Sequence, residues 1–69
     1  MKLIDAAGPD GNAFAILGAV KTALTRAGRS SEWGKLREDM MSKNYDHLCE
    51  VAEQCTADLG IDQIKIVNR

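Results

Sequence analysis

From residue 13 onward, apolar side chains recur every three or four positions: Phe14, Leu17, Val20, Leu24 and Ala27. That period predicts an amphipathic helix facing a core. Asn12 stands in front as a side-chain cap, and Gly28 stands behind as a residue free to take positive φ and close the helix. A second stripe, Trp33, Leu36, Met40 and Met41, is interleaved with Lys35, Arg37, Glu38 and Asp39. It predicts a second helix that begins on Ser30 or Ser31 as cap and ends near Lys43. In a third segment Tyr45, Leu48, Ala52, Cys55 and Leu59 share a face, and Gly60 ends it. Asn44 is its cap, and Asp46 places negative charge in the first turn, where the helix dipole favours it.

The two ends of the chain read differently. Lys2-Leu3-Ile4-Asp5 is short and β-prone, and it runs into Gly8-Pro9-Asp10-Gly11-Asn12, a turn in which proline presets φ and glycine relaxes it. In the tail, Ile64 and Ile66 alternate with Lys65 and Val67, the period of a strand with one buried face. The expected architecture is α+β, one small domain over residues 1–69 in the order β-α-α-α-β. A lone strand in water is untenable, so the two strands are expected to pair with each other over the helices. Three up-and-down helices between them make the pair parallel. The same topology brings the Gly8–Asn12 loop, the third helix start at Asn44 to His47, and Asn68-Arg69 to one end of the fold. Two short strands leave open edges that a second copy can cover, which predicts a homodimer.

A chain of 69 residues buries only about 60% of its unfolded surface, so its core is small. The apolar fraction of 45% and charged fraction of 28% are those of an ordinary globular protein rather than a disordered one. Charge is unevenly spread. Residues 21 to 43 carry six basic and three acidic side chains, whereas residues 44 to 62 carry five acidic and no basic ones. The third helix is the one a helix-turn-helix would insert in the major groove, and its Asp46, Glu50, Glu53 and Asp58 would be repelled by phosphate, which argues against nucleic acid as partner. An acidic helix instead suits docking to a basic protein surface. No apolar run approaches the length of a membrane span or a signal peptide, and a cytoplasmic location is expected.

Candidate chemistry is sparse. Cys49 and Cys55, six residues apart on one helix, lie about 120° apart around its axis and cannot pair with each other. They read as buried thiols of a reducing compartment. With His47 the only histidine and no Cys-x-x-Cys, neither a metal site nor any other cofactor is expected. Nucleophilic catalysis needs a thiol or serine over a base, and the offsets of two and eight residues from His47 to the cysteines deny that; a non-enzymatic protein is expected. The loop is the one candidate ligand site. Gly8, Asp10, Gly11 and Asn12 follow a strand and precede a helix, where backbone N–H groups and the positive helix end can hold a phosphate or nucleotide. Tyr45, His47 and Arg69 would complete it. Trp33, Met40, Asp46, Glu50 and Glu53 form the candidate protein interface.

Gly8 to Phe14, read as GPDGNAF, together with Leu17-Gly18 and the later Asn44-Tyr45-Asp46-His47-Leu48, resembles a family of small uncharacterised bacteriophage and prophage proteins that share a GPxGNAF motif and a later D/N-Y-x-x-L helix. The resemblance covers most of the chain. It implies a mobile-element setting, in which small non-enzymatic proteins bind a host protein or sequester a nucleotide signal. The expected function is a protein-interaction module acting on a host protein through the acidic helix face. A phosphate or nucleotide binder at the loop is the alternative, and a DNA-binding regulator the third reading.

Overall fold

The computed structural model describes all 69 residues, Met1 to Arg69. Strand β1 spans Lys2–Asp5, helix α1 Ala13–Arg26, α2 Trp33–Met40, α3 Tyr45–Asp58 and strand β2 Ile64–Val67, with single 3-10 turns at Pro9–Gly11 and Ser30–Glu32. The strands pair in parallel, Lys2 opposite Ile64 and Asp5 opposite Val67. This is the expected β-α-α-α-β order and α+β class. Asn12 and Asn44 cap α1 and α3 as the sequence predicts: Ala15 N–H donates to Asn12 Oδ1 at 2.8 Å and His47 N–H to Asn44 Oδ1 at 3.0 Å. Gly28 and Gly60 take φ of +72° and +65° just past the two helices, the conformation that lets a chain leave a helix without a Cβ clash.

The core joins Ile4, Ile64 and Ile66 of the sheet to Ile16, Leu17, Val20 and Leu24 of α1, Met40 of α2, and Leu48, Cys49, Ala52 and Cys55 of α3. Two expectations need correction. Phe14 is not a core residue; it is 80% exposed. At 100° per residue, the buried stripe of Ile16, Leu17, Val20, Ala23 and Leu24 is centred near Val20, and Phe14 falls about 120° away from it. The second helix is also shorter than its apolar stripe. Neither Ser30 nor Ser31 caps it, because the chain enters through a 3-10 turn and the residue before Trp33, Glu32, already has helical φ and ψ, whereas a side-chain cap needs an extended residue there. The helix stops at Met40, where Ser42 Oγ bonds the Asp39 carbonyl at 2.7 Å.

The outer edge of β2 is closed by α3. Ile64 N–H donates to Thr56 Oγ1 at 3.1 Å and Ile66 N–H to Glu53 Oε2 at 2.9 Å. Thr56 is fully buried, and its hydroxyl turns its own proton back to the α3 carbonyls of Ala52 or Glu53, each at 3.0 Å. Thr56→Val keeps the shape but strands the Ile64 N–H without an acceptor. Chemical denaturation should show a loss of ~1–3 kcal/mol, the usual cost of a buried unsatisfied donor, and Thr56→Ser should recover most of it.

Candidate functional site

At the carboxyl end of the parallel strands, the three segments singled out by topology do meet. The Tyr45 hydroxyl donates to the Gly11 carbonyl, tying the start of α3 to the loop. Arg69 donates from Nη1 to the Asp46 carbonyl at 3.1 Å and pairs through Nη2 with Glu53 Oε1 at 3.3 Å. Asn68 Nδ2 donates to Asp5 Oδ1 at 3.1 Å, and the same oxygen accepts the Ala7 N–H at 2.9 Å. Most of these groups therefore face one another rather than a vacant space.

The loop is a close-packed turn. Gly8 N–H bonds the Asp5 carbonyl and Gly11 N–H the Gly8 carbonyl. Asn12 spends its side chain capping α1 and bonding the Pro9 carbonyl. Gly11 is a glycine because the loop folds onto β1's exit: a Cβ there would lie within 2.6 Å of three Ala6 backbone atoms. A bulky residue at position 11 therefore tests the fold before it tests ligand binding. Asp10 is exposed at the loop surface. His47 bonds Asp39 Oδ1 through Nε2 at 2.9 Å, bracing α3 against α2.

The residues expected to form an acidic interface divide. Asp46 and Glu50 are exposed. Glu53 carries the β2 edge and Arg69 on its two oxygens, so its charge is spent internally. Trp33 is half-buried against the core, and Met40 is fully buried in it; Met40 has no surface to offer a partner. Its neighbour Met41 is 50% exposed. With Phe14 and the half-buried Tyr45 ring, Met41 borders an open apolar depression of about 230 Å³, floored by Leu17 and Leu48 and rimmed by Lys43. The sequence does hold a signal for Phe14 at the surface: Phe14 and Ile16 sit about 200° apart on a helix and cannot share a face.

No three His, Cys, Asp or Glu side chains are grouped to hold a metal ion, and no helix is long and apolar enough to cross a membrane. Burial pushes the Cys49 and Cys55 thiols above their ordinary range, and burial with the neighbouring Cys49 raises the Tyr45 hydroxyl. These groups stay protonated near neutral pH.

Fold and site together define a small α+β domain whose polar side chains brace its own framework and whose exposed apolar side chains lie in two places, Phe14 and Met41 at the depression and Met1 and Leu3 at β1. No protein-family model, curated protein or solved structure matches the chain.

Proposed function

We propose that the chain is a protein-interaction module that docks its partner on the depression between Phe14 and Met41. The observation that supports this most is the exposure of Phe14, the chain's single phenylalanine, at 80% beside Met41 at 50%. Adjacent exposed aromatic and methionine side chains mark interaction surfaces more often than bare solvent contact, because both offer large contact area that pays off only when covered. Lys43 on the rim favours an occupant with an apolar anchor flanked by a carboxylate. The acidic-helix route is less well supported, since Glu53 is engaged internally and Met40 is core. The phosphate reading is weakened in the same way, since the loop's groups bond one another. Thiols that burial keeps protonated, and a single histidine engaged with Asp39, favour a non-enzymatic role, and the resemblance to phage and prophage proteins makes a host protein the natural class of partner.

Selection of binding peptides from a random library tests this. The expected consensus is a large apolar residue next to Asp or Glu, with NMR shifts on binding confined to Phe14, Met41, Lys43 and Tyr45. A consensus that instead shifts Glu50 and its neighbours, or the Gly8–Asn12 loop, would overturn the assignment.

A further inference from the structure

The two edges of the sheet are unlike. Along β2 the outward N–H groups of Ile64 and Ile66 are taken by Thr56 and Glu53. Along β1 the N–H groups of Lys2 and Ala6 bond the Gln63 and Val67 carbonyls at 2.7 and 2.8 Å, so the alternate groups, those of Leu3 and Asp5, point away from β2. No side chain closes that edge, and Leu3 beside it is 64% exposed. An unprotected edge is a template for another strand.

We propose that the occupant is a second copy of this chain, pairing β1 with β1 antiparallel about a two-fold axis through Leu3, to give a four-stranded sheet in the order β2-β1-β1-β2. The register follows from which groups are free. Paired residues must point to the same side of the sheet, so Leu3 faces Leu3 and Lys2 faces Ile4. Leu3 N–H and C=O both point outward and exchange two bonds with their symmetry mates, and each Asp5 N–H reaches the Met1 carbonyl of the other copy. The Asp5 carbonyl accepts the Gly8 N–H at 3.0 Å, which ends the free edge there and excludes a longer overlap.

The surface next to this edge is self-complementary as well. Between β1 and α1 lies a groove of about 280 Å³ walled by Ala15, Gly18, Ala19 and Thr22, with the charged residues Lys2, Asp10, Arg26 and Asp62 also lining it. Asp10 precedes α1 and Arg26 is its last residue, so these two opposite charges stand at opposite ends of the helix, while Lys2 and Asp62 are of opposite sign and Asp62 is paired with the Met1 amino group. The same two-fold sets α1 antiparallel to the second α1 across these short side chains and brings Arg26 of each copy toward Asp10 of the other. Specific interfaces bury roughly 800 Å² per partner, about a fifth of the protomer's 4267 Å²; the strand edge needs the helix face to reach that area.

Sedimentation velocity from micromolar to millimolar concentration should show the mass doubling. Gly18→Arg should hold the chain monomeric without unfolding it, since a Cβ at Gly18 meets no atom within 4 Å. Leu3→Pro removes an N–H that the intramolecular ladder does not use and should do the same; if it fails to fold, Gly18→Arg still decides the matter. Leu3→Cys should give a symmetric disulfide under oxidised glutathione, since residues facing each other in a hydrogen-bonded antiparallel pair have Cα atoms ~5.5 Å apart, within disulfide reach. A wild type monomeric throughout, a dimer that survives Gly18→Arg, or no cross-link from Leu3→Cys in a dimeric sample would overturn the proposal; the first outcome would leave the edge to a strand from a different protein.

Discussion

Gly11→Ala should destabilise the chain by about 3 kcal/mol or more, at or above the upper end of the ~1–3 kcal/mol usual for overpacking. The added methyl would sit within 2.6 Å of the Ala6 carbonyl oxygen, carbon and Cα. Those atoms belong to backbone, which has no rotamer to yield. Relief requires the Pro9–Gly11 turn to lift away from Ala6, and that pulls the Gly11 carbonyl off the Tyr45 hydroxyl, so the α3 contact is lost with the turn. Gly8→Ala is the control. Its Cβ would meet Asp5 no closer than 3.4 Å, an ordinary contact, and its melting temperature should stay near that of wild type. Equal losses from the two substitutions would show that the loop needs glycine for flexibility rather than for close approach.

Met40→Ala should cost ~2–5 kcal/mol, the range for truncating a fully buried large side chain, while Met41→Ala should stay within about 0.5 kcal/mol, as surface substitutions do. The two residues are adjacent and chemically identical, so the comparison isolates burial. Met40 is completely covered and is the only fully buried residue of α2, which makes it the chief anchor of that short helix. Met41 follows the helix end and is half exposed. A large loss at Met41 with little at Met40 would mean that α2 is rotated by one residue from the arrangement described above.

The sequence carried the order of elements because each is signalled locally: the asparagine caps, the closing glycines and the Ile64/Ile66 alternation all act within a few residues. It carried the parallel pairing through topology, by counting helices between two strands that each need a partner. The helical register of α1 was harder. Alanines fill both sides of that helix, so a stripe containing Phe14 and one containing Ile16 look equally apolar until the sheet shows which side is covered. Met40 and Met41 posed the same difficulty on α2. The internal use of Glu53 was invisible for a different reason, since its partners, Ile66 N–H and Arg69, come from residues thirteen and sixteen positions on. A charge pattern along one helix cannot reveal bonds made to a distant strand. The candidate site was therefore legible as a neighbourhood, with the loop, Tyr45 and Arg69 at one end, but not as a set of free groups.

Phe14 is a surface residue, and the proposed docking surface depends on contact made through it. Phe14→Ser, measured by thermal melting alongside titration with a library-selected peptide, tests it most directly. The expected result is a melting temperature equal to that of wild type with peptide affinity reduced at least tenfold, about 1.4 kcal/mol or more. A loss of stability approaching the ~3–5 kcal/mol of a core phenylalanine, or undiminished affinity in a fully folded variant, would contradict it.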